Sequence, residues 1–366
     1  MKIPYVNIKK QYKSEKKKLS KIIDKTLSSG SWVGGTEIDK FEKKISSLCN
    51  TKYCISLNSG TDALTMALHL LGVRKGDEVI TPPNSFIAST SVIVHLGAKP
   101  VFVDVKNDQN IDETLIEKKI NKKTKAIMPV HLTGRMCAMD KIMSIAKKHN
   151  IPVIEDCAQS IMSKYKGRMS GSWGDVGCFS AHPLKNLNAI GDAGYLTTNN
   201  KSLYLKIKNL RTHGMDENRD NVKRFGYVSR MDNLQAAILN FRLKNLSKII
   251  SIRRKNVELY LDSLNLDKVY FPKEKINEFN TYHTFVIQVE DRDKLKKYLK
   301  QKGIDTAIHY PVPIHLQTAS KFLRHAKGDF PATEEQSKNI LTLPINQFLK
   351  KNEIRYISNL VNNFYS

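Results

Sequence analysis

Apolar residues recur along this chain in two rhythms, and each predicts a different element. In residues 36–48, Ile38, Phe41, Ile45 and Leu48 fall at helical spacing, with Thr36 placed to cap the helix. Thr61–Leu71 carries a second apolar helical face. Between such segments lie short apolar runs: Tyr53–Leu57, Glu78–Thr81, Val101–Val105, Ala126–Val130 and Ile151–Ile154. Short buried runs separated by helix-length segments predict parallel strands with crossover helices. Gly177–Ser180 and Tyr195–Thr198 extend the same sheet. The texture changes near residues 240–255. A long helical stretch, Asn240–Leu261, leads there into a smaller α+β region with a strand at Thr284–Val289 and a helix from Asp291. The expected organisation is a large domain over residues 1–245 and a small one over 246–366.

Length and composition narrow the classes. With 366 residues, 40% hydrophobic and 8% aromatic, the chain is long and apolar enough to fold around a substantial core, which excludes a disordered basic tail or a fibre. Its 60 Lys+Arg against 35 Asp+Glu leave a net charge of +25. Nucleic acid or an anionic surface would explain that charge, and so would a lysine-rich solvated surface. The densest run, Lys9–Lys25, includes Glu15 and Asp24 and reads as one exposed helix face. Neither nucleic acid nor a membrane is the expected partner. The five cysteines (Cys49, Cys54, Cys137, Cys157, Cys178) lack CxxC spacing and read as thiols of a reducing compartment. No signal sequence or membrane span is apparent, so a cytoplasmic location is expected.

Three groups follow strand-like runs, where open α/β sheets hold their ligands. Asn58-Ser59-Gly60-Thr61-Asp62 opens a helix, and is either a phosphate cradle or a plain N-cap. Glu155-Asp156-Cys157-Ala158-Gln159 puts carboxylates after a buried run, where they need a cationic partner or serve as a cap. Phe179-Ser180-Ala181-His182-Pro183-Leu184-Lys185-Asn186 sets a lysine among apolar residues before a glycine turn. It is either a Schiff-base lysine or one more surface lysine. Together, a phosphate cradle, an acid and a lysine are what pyridoxal phosphate (PLP) requires. His131 follows a strand, and no His/Cys/Asp grouping reads as a metal site.

These motifs, with SSGSWVGGTEIDKFE (28–42), GDEVITPPNSFIAS (76–89), VIEDCAQS (153–160), SRMDNLQAAIL (229–239) and IHYPVPIHLQ (308–317), are spread over nearly the whole chain. In them the sequence resembles the DegT/StrS family of PLP-dependent sugar aminotransferases. The resemblance implies fold type I, an α/β architecture with a mostly parallel sheet and a smaller α+β C-terminal domain. It implies that Lys185 binds PLP as an aldimine and shuttles a proton, and that Asp156 pairs with the ring nitrogen. Gly60, Thr61 and Ser180 are implied phosphate ligands. Phe86 is implied to stack on the ring, and Gln159 to lie against it. It further implies a homodimer with shared sites, glutamate as amino donor, ping-pong transamination of a nucleotide-linked keto sugar, and a role in polysaccharide biosynthesis. Arg230, His309, Tyr310 and His315 are candidate substrate residues. The polar loop with Arg211, His213, Arg219 and Asp220 is either a contact loop or merely exposed.

The chain departs from the family pattern at three positions. Val228 stands where Asn is frequent, Ile161 where His is frequent, and Ser85 where Thr is frequent. A sugar dehydratase of the same superfamily would carry His in place of Lys185. A non-catalytic regulator is suggested only by the charge.

Overall fold

Runs of four or five residues rich in Val and Ile suit a buried pleated strand and are too short for a core helix. In the computed structural model, which describes residues 2–216, 218 and 220–366, they form the central sheet. Its strands are β1 (Tyr53–Leu57), β2 (Glu78–Thr81), β3 (Lys99–Phe102), β4 (Thr124–Ile127), β5 (Ile154–Asp156), β6 (Val176–Ser180) and β7 (Gly194–Thr198). The order is β3-β2-β4 on one side and β5-β6-β7-β1 on the other. Parallel bridges Ile127–Val153 and Val130–Asp156 join the two halves. All neighbours run parallel except β7, which is antiparallel to both β6 and β1.

Several boundaries differ from the sequence reading, for physical reasons. β5 starts at Ile154 and not at Ile151, so Glu155 and Asp156 lie inside the sheet. Pro152 has no N–H to give a ladder. Both acids are accommodated because each carboxylate finds hydrogen-bond donors there. The helix at Thr36 is capped by Gly35 instead (φ 111°). The preceding loop folds onto Asn233, whose side chain would sit 3.2 Å from a Cβ at position 35. The long stretch Asn240–Leu261 is two helices, Asn233–Leu243 and Leu246–Ser263, separated at Lys244–Asn245. The break lets the first pack on the helices Ile8–Ser28 and Thr36–Cys49, and the second on Lys351–Phe364.

Both sheet faces are covered. On one, Leu64, Leu68, Val92 and Ile207 meet Ile55, Ile154 and Leu196. On the other, Phe41, Ile45 and Leu239 meet Phe179 and Tyr195. A separate cluster holds the C-terminal α+β unit together, with Tyr260, Phe285, Leu295, Leu343 and Ile357 around the antiparallel pair β8 (Phe285–Gln288) and β9 (Ile340–Leu343). The N-terminal Ile3 belongs to this cluster and bridges Ile304. The lysines of Ile8–Ser28 point outward, because only Gln11, Leu19 and Thr26 of that helix are buried. All five cysteines are free and buried. Among the described residues, no helix is long and apolar enough to cross a membrane.

One close approach controls the functional end of the sheet. A Cβ on Gly194, the first residue of β7, would lie 2.1 Å from the Ser59 carbonyl carbon and 2.4 Å from Gly60 N. Backbone cannot retreat as a side chain can. Gly194→Ala is therefore expected to destabilise the fold by about 1–3 kcal/mol, read as a lower midpoint in urea unfolding. An unchanged midpoint would contradict the close packing.

Candidate active site

The carboxyl ends of β1, β5 and β6 and the start of β7 converge, because β7 runs against its neighbours. Register pairs Leu57 and Ser180 with Gly194. The helix Gly60–Leu70 begins at this point, capped by Ser59, whose Oγ accepts a hydrogen bond from Asp62 N–H at 3.1 Å. Ser59 is therefore an N-cap, which leaves the first N–H groups of the helix without an intrahelical partner. Gly60 lies so close to Ser180 that a Cβ would come within 2.8 Å of the Ser180 Cβ. Gly60, Thr61 and Ser180 thus form one lip, with two hydroxyls and a bare helix start. A phosphate fits that donor set.

Asp156 ends β5, beside β6. Its Oδ2 accepts from Ser89 Oγ at 2.7 Å and its Oδ1 from Ala158 N–H at 3.1 Å. Its neighbour Glu155 accepts from the N–H groups of Gly171 (3.0 Å), Trp173 (2.7 Å) and Gly174 (2.8 Å), and contacts His131 Nε2 at 3.0 Å. His131 Nδ1 accepts from Cys137 N–H at 3.2 Å. The grouping of His131, Glu155 and Cys157 has ligand atoms within 4.8 Å of one another, but its histidine and carboxylate are already engaged in this clamp. The two acids of the motif do different jobs. Glu155 fixes the strand, and Asp156 faces the cleft.

Lys185 lies in the turn after β6, with its N–H bonded to the His182 carbonyl at 2.8 Å. Burial pushes its amine down to about 8, against the opposing pull of the Asp156 charge. It is therefore not an ordinary surface lysine. A partly deprotonated amine near neutral pH is a competent nucleophile toward an aldehyde.

The opposite wall comes from distant segments. Gln159 Oε1 accepts from Thr133 N–H at 2.8 Å, while its Nε2 lies 3.5 Å from the Tyr310 hydroxyl. Phe86 is 56% exposed, its ring 6.0 Å from that of Tyr310, leaving a flat aromatic face open to the cleft. Burial, helped by Asp156, raises the Tyr310 phenol above its usual range. His309 Nδ1 contacts Thr342 Oγ1 at 2.8 Å, and burial with the Lys185 charge lowers it to about 4. His309 is therefore a neutral ring at physiological pH.

Other candidates lie apart from this cluster. His315 is buried against Phe330, with Nε2 3.0 Å from Glu334 Oε1, and is engaged there. Arg230 lines a separate cleft of about 1290 Å³ with Lys206, Lys223, Arg224, His213 and Asp216. Arg211 is a structural tie: its Nη1 donates to Glu42 Oε1 (2.8 Å) and the Ser56 carbonyl (2.7 Å). Asp220 N–H donates to Asp216 Oδ1 at 3.2 Å. Arg219 lies outside the described residues. Ile161 packs into the core beside Phe41 and Ile45, and Val228 is 55% exposed. Ser85 is buried, its hydroxyl donating to the Phe86 carbonyl at 3.1 Å.

Sequence reasoning missed Ser89, which gives no local signal. It also missed Arg253, whose Nη1 donates to the carbonyls of Tyr282 and Ile345, each at 3.0 Å. Arg253 did carry a signal, because it falls on the helical stripe of Leu246, Ile250, Val257 and Tyr260. A cation on a buried stripe needs partners.

Comparison with known proteins identifies the family. The model of the DegT/DnrJ/EryC1/StrS aminotransferase family matches residues 13–362. The chain is 38% identical, over 99% of both chains, to the dTDP-3-amino-3,6-dideoxy-alpha-D-galactopyranose transaminase of Aneurinibacillus thermoaerophilus. It is 37% identical, over 100% of this chain and 99% of the other, to a protein of Geobacillus stearothermophilus named pleiotropic regulatory protein. Among solved structures, that of S. venezuelae DesV in complex with a ketimine intermediate superimposes with a TM-score of 0.96. It is 34% identical and covers 99% of this chain and 98% of the other.

The depressed lysine gives a direct test. Reductive trapping of a small aldehyde on Lys185 in the cofactor-free protein, followed by peptide mass mapping, should be half-maximal near pH 8, because the reactive amine accumulates as pH rises through its pKa. Asp156 favours the ammonium, so Asp156→Asn should move that midpoint to lower pH. A midpoint near the ordinary lysine value of 10.5 would contradict the environment described.

Proposed function

The chain belongs to the DegT/DnrJ/EryC1/StrS aminotransferase family, and from that premise we propose a donor, an acceptor and an assembly for it. It is a PLP-dependent sugar aminotransferase. Glutamate is the proposed donor, and a keto sugar linked to a nucleotide the proposed acceptor, in two successive half-reactions at one site. The carrying observation is a half-buried lysine with a depressed pKa on the turn after β6, opposite a hydrogen-bonded aspartate at the end of β5.

When bound, PLP supplies an aldehyde that condenses with amines and a ring that accepts electrons. The chain's residues do the rest. Gly60, Thr61 and Ser180 would hold the phosphate. Asp156, steadied by Ser89, would supply the negative charge that pairs with a protonated ring nitrogen. Phe86 would offer its exposed ring as a stacking face, and Gln159, beside Tyr310, would line the cleft. Lys185, already near its deprotonation point, would hold and release a proton at Nζ beside the bound cofactor. His309 and Tyr310, neutral and close to this wall, offer hydrogen bonds to sugar oxygens without adding charge.

Exposed apolar side chains support a homodimer. Trp32 and Val33 lie beside the start of the helix Asn233–Leu243, while Phe225 is 99% exposed on the loop that also bears Tyr227 and Val228. Such side chains gathered on loops suit a partner surface.

Purified protein mixed with PLP should turn yellow, and Lys185→Ala should abolish both the colour change and amino transfer while leaving the fold intact. Mass spectrometry of nucleotide-linked keto sugars incubated with the enzyme and glutamate should show the aminated product. A protein that cannot bind PLP would sink the reading. Phe225→Glu should shift light-scattering mass from twice the chain mass toward one chain, and an unshifted dimer would remove that loop from the interface.

A further inference from the structure

The turn that carries Lys185 leaves β6 at Ser180 and comes back at Ala189, whose N–H donates to the Ala181 carbonyl at 2.8 Å. Lys185 itself bonds through its N–H to the His182 carbonyl at 2.8 Å, near the start of the turn. Asn188, near its end, is buried and engages both polar atoms of its side chain. Its Nδ2 donates across the turn to the Pro183 carbonyl at 2.7 Å and outward to Gln11 Oε1 at 3.2 Å, while its Oδ1 accepts from Gln11 Nε2 at 3.0 Å. The first of these bonds brackets Lys185 between its two ends.

Outside the turn the bonds close into a ring. Arg242, on the helix Asn233–Leu243, donates from Nη1 to the carbonyls of Asn188 (2.8 Å) and Ala189 (3.1 Å). It also donates from Nε (3.1 Å) and Nη2 (2.7 Å) to Glu15 Oε2. Glu15 Oε1 in turn accepts from Gln11 Nε2 at 3.3 Å, and the two residues stand one turn apart on the helix Ile8–Ser28. Gln11, Asn188 and Arg242 are all buried. A buried polar network whose members are satisfied fixes one arrangement of the backbone it touches.

We propose that Asn188 is a positioning residue for Lys185: its side chain ties the two arms of the turn together and thereby sets where the lysine stem enters the cleft. The inference rests on the reading of Lys185 as the cofactor lysine. A reacting group misplaced by about 1 Å loses on the order of a hundredfold in rate. The bond from Asn188 to Pro183 holds the turn against opening by such a distance, and Gln11 and Arg242 hold Asn188 in place. The helix Ile8–Ser28 thus bears on the lysine through one amide pair.

The test compares Asn188→Leu with Gln11→Met in the full-length protein. Both substitutions break the amide pair, and neither changes a charge. Only the first also removes the tie to Pro183. Both should lower the urea unfolding midpoint. Only Asn188→Leu should raise the pH midpoint of aldehyde trapping at Lys185 in the cofactor-free protein, by about one unit, because an opened turn lets water reach the amine and returns part of the burial effect. With PLP bound and L-glutamate added, the limiting rate of colour loss should fall about tenfold in Asn188→Leu, at an unchanged half-saturating glutamate concentration. If the Leu variant does not fold, Asn188→Ala carries the same expectation. An unshifted pH midpoint in a folded Asn188 variant overturns the inference. So does an equal shift in Gln11→Met, which would trace the effect to packing of the helix, and so does a raised midpoint with an unchanged rate. A wild-type protein that binds no PLP overturns the functional reading, and the trapping comparison then still decides whether Asn188 holds the turn.

Discussion

The site depends on one constraint: a carboxylate and an amine must share a water-poor cleft without neutralising the chemistry of either. Asp156 ends β5, and Lys185 lies in the turn after the adjacent parallel strand β6, where the charge of the acid still acts on the amine. Burial opposes that influence and wins, which leaves the amine near its deprotonation point. A fully solvated lysine would stay charged and inert. A lysine ion-paired directly to Asp156 would be held in the ammonium form and would occupy the carboxylate needed elsewhere.

The remaining architecture serves that spacing. Glu155, on the face of β5 opposite Asp156, collects three backbone N–H groups and His131. That clamp holds β5 against the 171–174 loop, so the end of the strand cannot drift. Ser89 reaches Asp156 from the helix Ala88–His95. The reversed strand β7 brings Gly194 up against Ser59 and Gly60, closing the gap between β1 and β6. The lip of Gly60, Thr61 and Ser180 and the acid Asp156 are therefore set by strand pairing.

Much of this was legible in the sequence, for a physical reason. The ends of β1 and β2 were read to the residue because a short apolar run bounded by polar residues has few alternatives. The three motifs were legible because each is local: cradle, acid and lysine are each contained in one stretch of chain. The residues that were missed act across the fold. Ser89 pairs with Asp156, and that relation leaves no trace in neighbouring residues. The histidines show the same limit. His309 and His315 stand in one Pro-rich segment, yet one feels the Lys185 charge and the other is tied to Glu334. Only packing separates them.

The five cysteines carry a consequence of a different kind. All are buried, and burial raises Cys49, Cys54, Cys137, Cys157 and Cys178 above the usual thiol range. A thiol reacts as its thiolate, so the native chain is silent to alkylating reagents until a region opens. Cys157 and Cys178 border the acid and the strand before the lysine, whereas Cys137 lies in the cluster with Ile142 and Val153. The molecule therefore contains its own set of reporters. The order in which these thiols become alkylated would time the opening of the catalytic edge against that of the sheet's far side, with no label added.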